Sequence, residues 1–364
     1  MILSKKVLRK RCGFQPAFAC TLGVLAAVLV IAGTGAAAGK PKTVAELALY
    51  KGGDRQQILE AGAKQEGKLL FYTSGILKQA VRPVVSAFEK KYPFIKVQIW
   101  RAGNPSPKAL EEYRAGAHLF DALESTRIPP IAMLLEGGVV QPFYSPNLAH
   151  TEEDAITRAP GGGALAAGTR VSGIVLAYNT KLVAKEDVPK TYRDLLDAKW
   201  KGKVAIVASG TGVKWAGIML DIYGEDFLKQ IAEQNFAVHM TSGRALLDMI
   251  IAGEYALSPT IFDSHVLKSK QSGAPIDWQP LEPVYVNLGQ ICLSKHAPNP
   301  HAALLFIDFE LTKESANIHK AAGYSTVNKD VPPLAMLYKK YYGGGTMAEL
   351  KRWTELFNSL FLKK

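Results

Sequence analysis

A glycine-bearing turn between a short strand and a helix is the segment of this chain best suited to chemistry. Residues 203–207 form an apolar run typical of a strand, and a helical pattern continues beyond the turn to about Tyr223. The turn reads Ala208-Ser209-Gly210-Thr211-Gly212. Because the first amides of a helix lack partners and the helix dipole is positive there, such a turn can bind a small anion. An ordinary loop of small residues is the alternative interpretation.

The elements that would position this turn belong to an α/β pattern. Strands and helices alternate through most of the chain beyond residue 40, which predicts mostly parallel sheets flanked by helices. Residues 159–163 and 281–293 are the candidate connections between two domains. After residue 346 the spacing predicts a tail helix that docks on the fold through one apolar face, formed by Leu350, Trp353, Leu356, Phe357, Leu360 and Phe361.

The N-terminal segment has the pattern of a secretory signal peptide over residues 1–38. Five lysines and arginines lie between residues 5 and 11, residues 17–38 carry no charge, and residues 36–38 are alanines at a suitable cleavage point. We therefore predict a periplasmic protein that is exported by a cleavable signal. Because the uncharged run is long enough to span a bilayer, an uncleaved anchor is the alternative.

Composition limits the classes of partner and site. The formal net charge of +12 falls to about +7 beyond the signal, where 39 cationic residues remain against 32 acidic ones. That balance suits acidic ligands, and the chain has no basic block that would indicate nucleic acid binding. Cys292 is the one cysteine beyond the signal, so no intramolecular disulfide is expected, and its apolar neighbours predict a buried thiol. The length predicts two domains.

Catalytic motifs are not found in the sequence. None of the seven histidines has a metal-ligand spacing, and neither a GxSxG elbow nor a Walker loop occurs. We therefore expect no enzyme activity, no catalytic residue, no metal site and no cofactor. An enzyme with paired carboxylates is the alternative, because such carboxylates meet only in three dimensions.

Many segments resemble the periplasmic solute-binding proteins of ABC importers, in the group that includes ferric-iron-binding proteins. In chain order they are LLFYTSG at 69–75, AFEKKYPFIKVQ at 87–98, HLFDALESTRIPPIAMLLEGGVVQPF at 118–143, VLAYNTKLV at 175–183, VPKTYRDLLDAKWKGKVAI at 188–206, IAGEYAL at 251–257, APNPHAALLFIDF at 297–309 and GYSTVNKDV at 323–331. The resemblance implies a two-lobed α/β fold that closes on a ligand in the cleft between its lobes.

The resemblance also implies how the chain divides and what it contacts. Lobe 1 would comprise residues 43–160 with 281–325, and lobe 2 would comprise residues 161–280 with 326–364. Such a protein is expected to be a monomer that delivers its solute to an ABC permease in the inner membrane. A sensor that presents the ligand to a receptor is the alternative, and the sequence does not separate the two roles.

In this family the cleft is lined by loops at the carboxyl ends of strands. The ligand-binding residues that the resemblance implies are Thr73, Ser74, Ser125, Thr126, Arg127, Ser209, Gly210, Thr211, Ser242, Arg244 and Asp263. Hydroxyl donors, helix N-termini and arginines suit a phosphonate, a phosphate ester or a carboxylate, so we expect a small anionic organic solute. Each hydroxyl residue could instead cap a helix, and each arginine could form a surface ion pair.

Ferric iron, or a ferric chelate, is the alternative ligand. Iron-binding members of the family use two adjacent tyrosines after a Gly-Glu pair, and by residue count Asp263 and Ser264 occupy those positions here. The only adjacent tyrosine pair is Tyr341-Tyr342, which we expect to pack before the tail helix. One carboxylate with neutral hydroxyls is a poor donor set for ferric iron, which prefers anionic oxygen ligands.

Overall fold

The computed structural model describes residues 41–334, 338–343 and 346–362. All of them belong to one unit that spans Lys40–Lys364. The predicted signal peptide lies outside the described residues. No helix in these three ranges combines the length and apolar character that crossing a membrane requires.

The described ranges contain strands of very unequal length. They are β1 (Lys68–Thr73), β2 (Lys96–Arg101), β3 (Ala122–Thr126), β4 (Val140–Gln141), β5 (Ile156–Arg158), β6 (Ala164–Asn179), β7 (Ala205–Val207), β8 (Ala237–His239), β9 (Leu257–Phe262), β10 (Ile276–Gln279), β11 (Val284–Ser294) and β12 (Lys340–Tyr341). β6 and β11 are far longer than the others, which lets each of them pair with several shorter strands.

Helices fill most of the connections between these strands. They are α1 (Val44–Leu49), α2 (Arg55–Glu66), α3 (Arg82–Lys91), α4 (Ser106–Arg114), α5 (Ala132–Glu136), α6 (Gly210–Tyr223), α7 (Glu225–Glu233), α8 (Gly243–Ala252), α9 (Asp263–Gln271), α10 (Pro300–Glu310), α11 (Lys313–Ala321) and α12 (Met347–Phe357). Local chemistry sets several of their ends. Thr43 and Glu46 form a reciprocal capping box at α1, and Gly67 ends α2 with φ of 65°.

The sheet pairing confirms the α/β class and shows a mixed sheet. β1 pairs in parallel with β2 and β3, and β7 pairs in parallel with β8, as expected. β6 and β11 pair antiparallel with each other, and β11 is also antiparallel to β3. The expectation of mostly parallel sheets therefore does not extend to the two long strands. The physical reason is that the chain leaves one half of the fold along β6 and returns along β11.

Two large apolar cores lie at the two ends of this long strand pair. One is built on β1, α3 and α10 and contains Phe71, Phe88 and Phe306. The other is built on α6 and the tail helix and contains Trp215 and Trp353. Separate cores agree with a two-lobed fold, because each lobe must bury its own apolar surface. The predicted boundaries of the lobes stay a prediction.

The tail helix packs as its apolar spacing predicts. Trp353, Phe357 and Phe361 are buried, and the partly buried Leu350, Leu356 and Leu360 pack against the same core. The ring of Trp353 lies against Gly217 of α6, where an added Cβ would be only 2.3 Å from the indole. A glycine is required at that position because any side chain would hold the two helices apart.

Candidate functional site

Two of the predicted site loops lie side by side at the carboxyl ends of β1 and β3. The buried Thr73 hydroxyl donates to Glu124 Oε2 at 3.0 Å and accepts from the Gly75 amide at 2.9 Å. The Ser125 hydroxyl donates to the Ser74 hydroxyl at 2.9 Å. The loops meet because parallel pairing brings the carboxyl ends of β1 and β3 to the same edge of the sheet.

Thr126 and Arg127 close the second loop. The Thr126 hydroxyl lies 3.5 Å from the Ile128 carbonyl, so it is only weakly engaged. Arg127 Nη1 donates to the Asp154 carbonyl over a long distance of 3.4 Å. Burial lowers the pKa of the Arg127 guanidinium, and Tyr285 of β11 is the largest of the groups that oppose this shift. Arg127 therefore lies beside the long strands with no carboxylate bound directly to its side chain among the described residues.

The predicted strand-turn-helix at residues 203–223 is confirmed as β7 followed by α6. Ser209 is the N-cap residue of α6, but its side chain accepts no hydrogen bond from the first turn. The amides of Gly210, Thr211 and Gly212 have no intrahelical acceptor at these positions. Among the described residues, no side chain accepts a hydrogen bond from these three amides. The start of α6 therefore offers several donors at the positive end of a 14-residue helix.

The predicted site residues Ser242 and Arg244 already form hydrogen bonds with other groups of the protein. Ser242 caps α8, since its hydroxyl accepts from the Ala245 amide at 3.1 Å. Arg244 is exposed; it donates to Asp248 Oδ1 at 2.5 Å and to the Ser269 hydroxyl at 2.7 Å. A helix cap and a surface ion pair are the alternatives to ligand binding at these two positions. A role for Ser242 and Arg244 in solute binding stays a prediction.

Asp263 lies on the opposite side of β6 from the hydroxyl-rich loops. Its Oδ2 accepts from the Tyr338 hydroxyl at 2.9 Å, and burial raises the pKa of its carboxyl to about 6. A Cβ added to Gly173 would lie 2.5 Å from the Tyr338 hydroxyl and 3.1 Å from Asp263 Oδ2. Because successive strand residues point to opposite faces, Asp263 and Ser172 lie on different faces of β6.

Arg170 of β6 is a buried cation that the predicted residue set does not include. Its Nη2 lies 3.0 Å from Glu124 Oε1, both side chains are buried, and the guanidinium stacks 4.8 Å from the Tyr324 ring centroid. Gly289 of β11 leaves room for this ion pair, because its added Cβ would be 2.7 Å from Glu124 Oε1. One arginine inside the strand ALAAGTRVSGIVLAYN, which carries no other charged side chain, is the sequence signal that could have found it.

Lys214 of α6 is the second buried cation absent from the predicted set. It is 9% exposed, and its Nζ donates to Asn287 Oδ1 of β11 at 2.9 Å. Burial lowers the pKa of the Lys214 ammonium to about 8. A lysine within the apolar helix run VKWAGIML is the corresponding signal in the sequence.

Arg170 and the Lys214 partner Asn287 lie on one face of the β6–β11 pair. We call it the cationic face and define it by Arg170, Ser172, Asn287 and Gly289. Arg170 is paired with Gly289 and Ser172 with Asn287, so all four point the same way. Asn287, which binds Lys214, is roughly 7 Å along β11 from Gly289 beside Arg170. The cationic face thus places two buried cations near one buried carboxylate, that of Glu124.

A surface cavity elsewhere contains none of the predicted site residues. It has a volume of about 310 Å³ and is lined by Gln56, Glu60, Lys91, Tyr92, Pro146, Asn147, Asp308, Phe309 and Thr312. Its lining comes from α2, α3, α10 and neighbouring turns, away from the carboxyl ends of the strands. It does not belong to the cationic face.

Comparison of the sequence with protein families identifies the chain. Residues 84–343 match the model of the bacterial extracellular solute-binding protein family. The chain belongs to this family. An uncharacterised protein of Haemophilus influenzae is 26% identical to this solute-binding protein over 271 residues, covering 71% of this chain and 77% of the relative.

Solved structures similar to this solute-binding protein are two-lobed periplasmic binding proteins. The apo ferric ion-binding protein A of Pasteurella haemolytica has a TM-score of 0.70 and 18% identity, with 82% of this chain and 99% of that chain covered. The periplasmic binding protein AfuA of Actinobacillus pleuropneumoniae, with fructose-6-phosphate bound, has a TM-score of 0.64 and 23% identity, covering 82% and 100%. At these identities the likeness shows the fold, and the predicted two-lobed α/β fold is confirmed.

Family membership gives the general role. Binding proteins of this family deliver solutes to ABC permeases, and an extracellular solute-binding family indicates a periplasmic location. The family and fold are those of substrate-binding transport proteins rather than of enzymes. Among the residues that the structure describes, no group of three His, Cys, Asp or Glu side chains could hold a metal ion.

The hydroxyl groups of the two adjacent tyrosines of this solute-binding protein bind different carboxylates. The Tyr341 hydroxyl donates to Asp221 Oδ2 at 2.5 Å, and the Tyr342 hydroxyl donates to Glu152 Oε2 at 2.6 Å. Burial and these hydrogen bonds raise the pKa of both phenols above the ordinary value, which opposes the tyrosinate form that ferric iron prefers. The iron alternative stays a prediction.

Proposed function

We propose that this protein captures a small anionic organic solute between its lobes and delivers it to an ABC permease in the inner membrane. The solute would be a phosphonate, a phosphate ester or a carboxylate. The cationic face is the observation that carries this proposal, because Arg170 and Lys214 are buried there near one carboxylate. Burying a cation without full compensation costs free energy, which an anionic solute would offset.

The hydroxyl-rich loops support the same proposal. Thr73 and Thr126 pair in register with Glu124 and Gly289, so their side chains point toward the cationic face. The uncapped start of α6 adds amide donors from the second lobe. A solute held by both lobes would favour the closed arrangement, because only that arrangement brings both sets of donors to it. The protein would act as a monomeric carrier without catalytic activity, exported by the predicted signal.

Thermal denaturation with a panel of solutes tests the proposal. The panel contains inorganic phosphate, fructose-6-phosphate, methylphosphonate and citrate, with glucose as the neutral control. A solute present at 100 times its dissociation constant should stabilise the fold by about 2.7 kcal/mol, which raises the melting temperature by several degrees. Stabilisation by glucose but by none of the anions would contradict anion capture. Native mass spectrometry of the purified protein identifies any solute that it retains.

The two predicted arginines should differ in their effect on binding. Arg127 binds only a backbone carbonyl at 3.4 Å, whereas Arg244 already binds Asp248 and Ser269. We expect Arg127→Ala to weaken the best anion of the panel by about 1.5–3 kcal/mol, the range for a hydrogen bond to a charged group. Arg244→Ala should weaken it by less. Titration calorimetry of both variants measures this, and equal affinities for Arg127→Ala and the unmodified protein would remove Arg127 from the site.

A further inference from the structure

Lys214 carries a buried charge that the described part of the protein does not neutralise. Its Nζ donates one hydrogen bond, to Asn287 Oδ1, and lies 5.8 Å from the centroid of the Tyr285 ring. An ammonium has three protons to donate, so two remain for other acceptors. Burial alone accounts for the lowered pKa of this lysine, and no charged group among the described residues contributes to the shift. The folded protein therefore retains a cation that favours an external anion.

The position of Lys214 directs it toward the start of α6. It lies five residues beyond the N-cap Ser209, and helix side chains lean toward the N-terminus of their helix. The first turn of α6 has no side-chain cap, whereas the first turn of α8 is capped by Ser242. Of these two helix starts, the one with the buried ammonium is also the one with free amides.

The number of donors separates the anion classes that the proposed function leaves open. The amides of residues 210–212, the hydroxyls of Ser209 and Thr211, and the ammonium of Lys214 all belong to the N-cap and the first five residues of α6. A carboxylate offers about four lone-pair sites on two oxygens. A phosphoryl or phosphonyl group offers three terminal oxygens and a charge near −2 at neutral pH, which matches this donor set better.

We propose that Lys214 is the specificity-determining residue for a dianionic phosphoryl or phosphonyl group, which it binds together with the uncapped first turn of α6. This inference rests on the proposed capture of an anionic solute and narrows it to one anion class. Asn287 positions the ammonium from β11, so the same contact also couples the solute to the long strands that join the lobes.

Binding should depend on pH in a way that reports the charge of Lys214. The free lysine loses its proton near pH 8, so affinity for a phosphoryl group should fall above that pH. It should also fall below about pH 6, where the phosphoryl group gains its second proton. A carboxylate solute would keep its affinity down to about pH 4.

The elements packed against α6 also carry titratable groups. Tyr285 of β11 is held neutral because burial raises its pKa, and Glu349 of α12 acts on Tyr285. Asp221 of α6 accepts from the Tyr341 hydroxyl and from Trp353 Nε1. β7 and β9 contain no titratable side chain, and the charged side chains of α7 are exposed, namely Glu225, Asp226, Lys229 and Glu233.

Calorimetric titration with fructose-6-phosphate, inorganic phosphate and citrate between pH 5 and pH 9.5 tests the inference. The variants are Lys214→Met, which keeps the bulk but not the charge, and Lys214→Arg, which keeps the charge. Lys229→Met on exposed α7 is the matched control. We expect Lys214→Met to weaken phosphoryl binding about 10- to 100-fold at pH 7 and to remove the loss of affinity above pH 8, while Lys229→Met changes neither. Lys214→Arg should recover part of the affinity and also lack the upper pH limit.

A stability measurement separates this role from a structural one. Because the unneutralised charge is costly, Lys214→Met should raise the melting temperature without solute while weakening binding. A lower melting temperature, or a variant that does not fold, would overturn the inference. Unchanged affinity of Lys214→Met would also overturn it but would leave anion capture standing. If the unmodified protein bound only citrate, the dianion class would be wrong. If neither these three probes nor methylphosphonate bound, the proposed function itself would fail.

Discussion

At Asp263 the fold holds a carboxyl group away from water. Its side chain is buried, accepts from the Tyr338 hydroxyl at 2.9 Å, and has its pKa raised from 3.8 to about 6 by burial. As pH rises, the unfolded chain therefore loses this proton before the folded protein does. The contribution of this group to the unfolding free energy is fully present below about pH 4. It falls by about 3 kcal/mol as the pH rises to about 6.

Replacing this carboxyl should remove that pH dependence. We expect the unfolding free energy of Asp263→Asn, relative to the unmodified protein, to increase by about 3 kcal/mol between pH 4 and pH 7. Urea denaturation at each pH gives the difference. Asp226→Asn is the matched control, because the Asp226 side chain is 94% exposed and its replacement should show no comparable trend. A difference for Asp263→Asn that stays constant over this range would contradict the raised pKa.

At the scale of elements, the contact between α6 and α12 determines how the tail is held. Gly217 lies under the Trp353 ring. A Cβ added to Gly212 would lie 3.3 Å from the Phe357 ring. Trp353 Nε1 also donates to Asp221 Oδ1 at 3.3 Å. The two helices can approach closely because α6 has glycines where it faces α12. The uncapped first turn of the same helix belongs to the proposed site.

Gly217→Ala should destabilise the protein even though alanine favours a helix. Alanine gains up to about 1 kcal/mol in helix propensity, but its Cβ would overlap the buried indole and cost about 1–3 kcal/mol. Trp353→Ala alone should lower the unfolding free energy by about 3–5 kcal/mol. In the double variant the loss should be smaller than the sum of the two single losses. Urea denaturation of the single and double variants measures this. Gly210→Ala is the control within α6, where an added Cβ meets nothing within 4 Å, and full additivity would exclude the direct contact.

At the scale of the whole molecule, two cores are joined through β6 and β11. The buried Arg170–Glu124 pair joins β6 to β3 beside this connection. Each long strand pairs with different partners at its two ends, β6 with β5 and then with β9 and β10. Relative motion of the lobes would therefore be concentrated in the short middle part of two strands, where Gly173 and Gly289 lie.

Solute binding should make the protein more compact. We expect the anion that gives the largest thermal stabilisation to reduce the radius of gyration measured by small-angle X-ray scattering, because donors from both lobes would hold it. Glucose at the same concentration is the matched control and should leave the scattering curve unchanged. An anion that binds with the expected affinity but does not change the curve would show capture without closure.

Local features of the fold follow directly from the sequence. The strand-turn-helix around Ser209 and the apolar face of the tail helix are confirmed, because each depends on residues only a few positions apart. Cys292 is buried as its apolar neighbours predict. Arg170 and Lys214 were missed, because one cation in an apolar run does not reveal which distant group it contacts.

The sequence by itself therefore determined the α/β class, the family, and which loops carry hydroxyl groups, since these depend on local spacing and on a resemblance along the whole chain. Only the tertiary structure decided which of those groups meet. It separates Asp263 from Ser172 by the alternation of strand faces, and it joins Lys214 to Asn287 across 73 positions of the chain. Strand register and helix packing determine which side chains come into contact, and both depend on contacts between residues that are distant in the sequence.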